Sequence, residues 1–279
     1  MSQPLFDEIR EVENRIKQAS HVLLCVAYDG TLAQFAATPL DAHLSPQMER
    51  VLQSVSEHEH SSVAVISGRE RADLQSRLGI PGLIYAGNHG LEISGPGYLF
   101  VEPTAAANVG ALQEMADQLT QKLQGIEGAV VEFKGLTISV HHRQAQVETW
   151  EEVRRLVHAA LAGSTYPFVL TTGEKVFEIR PRVYWHKGSA VCWMVEKLAK
   201  PGLLTIYLGD DITDEDAFVS LAEGVTVRVG ESPESAARYA LDGPVEVRRF
   251  LELVDELLRQ KDFQTEDAGQ ELDREVLQR

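Results

Sequence analysis

The sequence predicts an α/β fold: a parallel-sheet core interrupted by a smaller antiparallel α+β segment. Three observations lead there. Short β-branched apolar runs alternate with helical segments, the pattern of parallel strands joined by crossover helices. Each run ends in a polar or glycine-containing cluster, and ligands of parallel sheets bind beyond the carboxyl ends of the strands. Between residues 105 and 180 the pattern changes to strand pairs flanked by helices, which marks an inserted second unit.

The elements follow in order. Residues 4–18 have the apolar spacing of an amphipathic helix. Residues 21–27, apolar from Val22 onward, predict the first core strand, which leads into Tyr28-Asp29-Gly30-Thr31. Ser45-Pro46 opens the next helix, with serine as N-cap and proline at the first helical position. Strands are then expected at 62–66, ending at Ser67-Gly68-Arg69, and at 83–86, ending at Gly87-Asn88-His89-Gly90. Two more are expected at 203–208, ending at Gly209-Asp210-Asp211, and at 225–229, ending at Gly230. The inserted segment reads as a helix near 105–124, a hairpin of 129–134 with 136–141, a helix at 146–162 and strands near 167–172 and 175–179. The expected division is a core of residues 1–104 and 181–279 and an α+β cap of residues 105–180.

Composition narrows the function. The 279 residues carry a formal charge of −16, which excludes unspecific nucleic-acid binding and obliges any phosphate site to gather positive charge locally. The two cysteines, Cys25 and Cys192, are too few for a disulfide framework and lie in apolar runs, so both are expected to be buried thiols. No apolar run approaches the ~20 residues of a membrane span. The first residues lack the basic and long apolar regions of a signal peptide. A cytoplasmic, monomeric protein with neither nucleic-acid nor membrane partners is the expectation.

Four clusters carry chemistry. Asp29 is a loop carboxylate followed by a glycine that permits a tight turn and a threonine whose hydroxyl can hold it. Ser67 and Arg69 suit a phosphate, through a hydroxyl, backbone amides and a guanidinium fork. Ser67 equally suits a helix cap, since Glu70 lies three residues on and can close a capping box. Lys187 precedes a helix, where an ammonium opposes the dipole and points to an anion to be neutralised; the plain alternative is a surface lysine. Residues 210–216 hold five acidic residues in seven positions. Thr213 as an N-cap and acids in a first turn explain part of this run, but not Asp210 and Asp211 at a strand end. Hard oxygen donors bunched there suit Mg²⁺, with Asp210 as a ligand.

Taken in order, these motifs resemble the haloacid dehalogenase superfamily and, within it, the trehalose-6-phosphate phosphatases. The resemblance runs from about residue 20 to 250 and rests on Tyr28-Asp29-Gly30-Thr31-Leu32, Ser67-Gly68-Arg69, Gly87-Asn88-His89-Gly90-Leu91-Glu92, Val140-His141-His142-Arg143, Glu178-Ile179-Arg180-Pro181, His186-Lys187-Gly188 and the run from Gly209 to Phe218. It implies a Rossmann-like core, a substrate-specificity cap, Mg²⁺ and a sugar-phosphate substrate. By this resemblance Asp29 is the general acid and then the base, and its backbone carbonyl is a metal ligand. Ser67 and Lys187 hold the phosphoryl oxygens. Asp210 ligates Mg²⁺ and Asp214 belongs to the metal site. Arg69, Asn88 and His89 in the core, and Glu132, Lys134, Arg143 and Glu178 in the cap, fall among the substrate-binding positions.

One position departs from the pattern. The family has aspartate where this chain has Ala27. Gly30 and Thr31 lie three and four residues past the nucleophile position, which counts back to residue 27 and not to Asp29. A methyl group cannot attack phosphorus or ligate a metal. The expected function is hydrolysis of trehalose 6-phosphate by a chain impaired at its nucleophile. The alternatives are a non-catalytic sugar-phosphate binder and a phosphatase of another sugar phosphate.

Overall fold

The structure is a computed structural model that describes residues 2–34, 41–173 and 175–277, with side chains described as far as Gln264. The chain divides into two compact units, Met1–Leu99 with His186–Arg279, and Phe100–Trp185. The divisions fall five residues outside the segment expected from sequence at each end.

The first unit is an α/β sandwich. Its sheet contains β1 (Gln3–Pro4), β2 (His21–Ala27), β3 (Ser61–Ile66), β4 (Ile84–Gly87), β5 (Glu92–Gly95) and β6 (Tyr98–Val101), the last crossing the division. After the insertion come β11 (Leu203–Gly209), β12 (Val225–Val229) and β13 (Tyr239–Leu241). The order is β1-β13-β12-β11-β2-β3-β4-β5-β6. Pairing is parallel from β1 through β4 in that order, and β5 is antiparallel to β4. All seven residues of β2 are buried, as befits a central parallel strand covered on both faces. Val22, Leu24 and Val26 join one core cluster with α1 (Ile9–Gln18), α2 (Pro46–Glu57) and α9 (Pro244–Leu277). Cys25, on the alternate face, is fully buried, and burial pushes its thiol far above the ordinary range. Among the described residues no helix is long and apolar enough to cross a membrane.

Several local expectations shift. The first helix starts at Ile9 and not at residue 4, because Gln3 and Pro4 pair with Tyr239 and Ala240 as a sheet edge. Ser45 caps α2 as expected, accepting from Met48 N at 3.2 Å. Ser67 is not a helix cap: α3 (Arg71–Leu78) begins later, and its N-cap is Glu70. Cys192 is exposed, on the outer side of α7 (Lys187–Leu198), whose Ala190, Val191 and Met194 are buried. An apolar run that winds around a helix does not say which of its members face inward.

The second unit stacks two helices on a four-stranded sheet. Following the short α4 (Pro103–Ala107), α5 (Val109–Leu123) and α6 (Trp150–Ala162) cover β7 (Val130–Phe133), β8 (Ile138–His141), β9 (Phe168–Gly173) and β10 (Val176–Pro181). The helix expected over 105–124 is interrupted at Asn108. The order is β7-β8-β10-β9, all antiparallel. Leu112, Leu119, Ile138, Val140, Val153, Val157 and Ile179 form the core of this unit.

Candidate active site

Register brings the core-unit candidates to one edge. Ala27 pairs with Ile66 and Ile66 with Ala86, while Val26 pairs with Leu208. The tips of β2, β3, β4 and β11 are therefore level, and the polar residues after each emerge side by side. Ala27 ends β2 with its methyl group buried.

Gly30 takes φ 73°, so the chain turns back sharply and Thr31 lands under β11. The buried Thr31 hydroxyl donates to Asp210 Oδ1 at 2.7 Å, tying the first loop to the fourth. Asp29 meets a bidentate fork: Arg69 Nη2 donates to Oδ1 at 2.6 Å and Nε to Oδ2 at 2.8 Å. Ser67 Oγ accepts from Arg69 N at 3.2 Å.

The loop after β4 braces the loop after β3. Asn88 N donates to Arg69 O at 2.7 Å and His89 N to Ser67 O at 2.8 Å. Both residues have positive φ, 50° and 59°. Asn88 is fully buried, and its amide donates to Glu92 Oε1 at 2.7 Å; that oxygen also accepts from Arg71 N at 2.9 Å. A Cβ on Gly68 would come within 2.8 Å of the His89 ring, so glycine lets the two loops close on each other.

The last pair of loops holds a buried ion pair. Lys187 opens α7, and its ammonium donates to Asp214 Oδ1 at 2.7 Å. The same oxygen accepts from the Tyr207 hydroxyl at 2.6 Å, and Oδ2 accepts from Asp211 N at 3.0 Å. Asp214 is thus a fully buried anchor with both oxygens engaged. A side chain on Gly209 would overlap Asp214 Cγ, which explains the glycine. Asp211, and not Thr213, caps the turn Ile212–Asp214; the Thr213 hydroxyl donates to Asp211 Oδ2 at 2.9 Å.

Electrostatics follow from this crowding. Burial and then the charge of Asp214 push the Asp210 carboxyl up to about 7, against the Thr31 hydroxyl and Lys187. Burial works against the Lys187 ammonium, but Asp214 outweighs it and raises the group above its usual value. Burial also acts on Asp211, yet Lys187 and the bonds from Ile212 and Thr213 hold its carboxyl low. The edge therefore carries a fixed cation beside a strained group of acids. Asp210 presents hard oxygen, the donor chemistry of Mg²⁺. Among the described residues no cluster of three or more His, Cys, Asp or Glu side chains fit for a metal occurs.

The second unit gathers its own candidates. Glu132 and Glu178 both pair with Ser139, so the three share one row and one face of the sheet. Lys134 Nζ donates to Glu178 Oε1 at 2.6 Å, and His141 Nε2 lies 2.8 Å from Glu132 Oε2. Arg143 is exposed just past β8.

Sequence reasoning missed Tyr207, which lies inside an apolar run and gives no signal. It also missed Asp73 and Arg77, although Arg69, Asp73 and Arg77 recur every four residues and so share a surface.

Comparison with known proteins places this arrangement. The profile described as trehalose-phosphatase matches residues 25–244. The chain belongs to the trehalose-phosphatase family. It is 38% identical over 242 residues to a trehalose-phosphate phosphatase of Mycobacterium tuberculosis, covering 84% of this chain and 61% of that protein. It is 35% identical over 269 residues to probable trehalose-phosphate phosphatase D of Arabidopsis thaliana, covering 89% of this chain and 70% of that one. The chain thus spans about three fifths of the length of its mycobacterial relatives. The fold is similar to that of the C-terminal domain of a C. albicans trehalose-6-phosphate phosphatase, with a TM-score of 0.76, 23% identity, and 92% of this chain and 98% of that chain covered.

Proposed function

We propose that this trehalose-phosphatase family member binds trehalose 6-phosphate and hydrolyses it in a Mg²⁺-dependent reaction, slowed by Ala27. The observation that carries the reading is the level edge of strand tips, where Asp29, Ser67, the Lys187–Asp214 pair and Asp210 emerge together. Lys187 and Ser67 hold the phosphoryl oxygens by charge and hydroxyl. With no carboxylate at position 27, water attacks phosphorus directly as the bond to the sugar oxygen breaks; Asp29 gives its proton to the departing sugar oxygen and recovers one from the attacking water. Mg²⁺ would rest on the Asp210 carboxylate and the Asp29 main-chain carbonyl, with Asp214 behind as an anchor. When bound it supplies positive charge opposite the phosphoryl oxygens. The second unit acts as the substrate-specificity cap, where Glu132, Lys134, Arg143 and Glu178 meet sugar hydroxyls. The protein works as a cytoplasmic monomer.

Ala27 removes the carboxylate that would attack phosphorus, and fully buried Cys25 does not replace it. Loss of a nucleophile lowers turnover by roughly 10⁴ to 10⁶. The test is phosphate release from trehalose 6-phosphate by the chain and by its Ala27→Asp variant, with Mg²⁺ and with chelator. Mg²⁺-dependent release by the variant, far above the parent, is expected; none above the parent refutes the hydrolase reading. A second reading, favoured by Ala27 itself, is a non-catalytic sugar-phosphate binder. Titration calorimetry of the parent chain distinguishes it: equal affinity for trehalose and its phosphate rules it out.

A further inference from the structure

Arg69 carries a suggestion that the sequence does not. Read as a phosphate ligand, its guanidinium should be available to substrate. In the structure Nε and Nη2 are aimed at the two oxygens of Asp29, and Nη1 donates to Asp73 Oδ2 at 3.1 Å. The same Asp73 oxygen accepts from Arg77 Nε at 2.8 Å. Arg77 in turn donates through Nη1 to Ala42 O at 3.2 Å, where the Tyr28 hydroxyl also donates at 3.0 Å. The Arg69 guanidinium lies 5.2 Å above the ring of that tyrosine. Both arginine side chains are about nine-tenths buried, whereas those of Asp29 and Asp73 are 34% and 36% exposed.

We propose that Arg77, Asp73 and Arg69 form a positioning relay that fixes the Asp29 carboxylate for proton transfer. Asp29 lies on a loop and is partly open to water, so alone its side chain would exchange among χ1 rotamers while the carboxylate turned over a broad range of χ2. A planar fork gripping both oxygens selects one of them. The fork is itself held edge-on by Asp73, which Arg77 braces in turn, and face-on by Tyr28. Asp73 and Arg77 are one turn apart on α3, so a helix and not a loop sets the alignment. The inference rests on the reading of Asp29 as the acid and base. It makes Arg69 a positioning residue and extends the working set to Asp73 and Arg77.

The test uses the full chain carrying Ala27→Asp, with Arg69→Gln, Arg69→Lys and Asp73→Asn added singly. Misplacement by about 1 Å costs roughly 10²-fold in rate. Both Arg69 substitutions should therefore lower kcat about a hundredfold and Asp73→Asn about tenfold, with KM within about threefold of the parent. A tenfold or greater rise in KM with kcat retained would instead make Arg69 a substrate ligand and overturn the relay. So would full kcat in Arg69→Lys, which keeps the charge and loses the fork, or in Asp73→Asn. Urea unfolding of each variant separates loss of fold from loss of alignment, and Asp73→Asn carries the test if an Arg69 variant fails to fold. Should the Ala27→Asp parent release no phosphate, the hydrolase reading fails on its own, and a crystal structure of Asp73→Asn in the original chain decides the relay. The Arg69 fork displaced from Asp29 supports it; both bonds unchanged refute it.

Discussion

Asp214→Asn is the sharpest probe of the buried pair beneath the site. Asp214 is fully buried and accepts from Lys187, Tyr207 and Asp211 N. Asparagine keeps the volume but loses the charge, leaving a buried ammonium whose direct partner is gone. Removing one member of a buried ion pair costs about 3–5 kcal/mol. Either amide orientation also turns a donor toward a donor, the Asp211 N–H in one case and the ammonium and phenol in the other, which adds about 1–3 kcal/mol. Asp210 and Asp211 still favour the Lys187 charge and offset part of this. A net loss of about 4 kcal/mol follows, near a thousandfold in the folding equilibrium. At about 2–4 °C per kcal/mol the melting temperature drops by about 8–16 °C. Urea unfolding followed by circular dichroism measures it. Adding Lys187→Met should recover about half the loss, because the stranded charge is gone. A loss below about 1 kcal/mol, or no recovery in the double variant, would refute the account.

Two further outcomes are expected. His21 is buried against Ser62 Oγ at 2.9 Å, and burial, followed by the charges of Lys200, His60 and Lys261, lowers its pKa from 6.5 to about 4. The unfolded chain binds the extra proton between those values, so stability is full above about pH 6.5 and falls by up to about 3 kcal/mol toward pH 4; His21→Gln should flatten urea midpoints between pH 7 and 4.5, and an unchanged slope contradicts this. Gly209→Ala pushes a methyl into Asp214 Cγ, so it should destabilise by about 1–3 kcal/mol and weaken trehalose 6-phosphate binding in calorimetry; wild-type affinity and stability together would show that the loop yields freely.

The parallel core was legible because its strands announce themselves. After its first residue, His21, the strand His21–Ala27 is apolar throughout, and its bounds match those expected. The polar cluster after each run then follows from the topology of parallel sheets. The short elements were not legible: β1 has two residues and β13 three, too few for any period to register. The site was half legible. Residue types at strand tips pointed to Asp29, Ser67, Lys187 and Asp210, but partners could not be read. Asp214 read as one acid among five; only the fold shows both its oxygens engaged. Arg69 read as an anion binder because a guanidinium suits phosphate and carboxylate alike, and only coordinates show which one it faces.

The order of the central strands has a consequence for the nascent chain. β2 lies between β3, made soon after it, and β11, which begins only at Leu203. One long edge of a strand apolar in all but its first residue therefore waits while the ribosome adds the 175 residues from 28 to 202. At about 5–20 residues per second that wait lasts roughly 9–35 s. By the end of that interval the second unit, Phe100–Trp185, is complete in sequence and has its own core, while the older half of the first still has a sticky flank. A strand in that condition is an open template for chance pairing with a neighbour. Yield in cells should accordingly respond to synthesis rate and to holdase chaperones more than to the stability of the finished sheet.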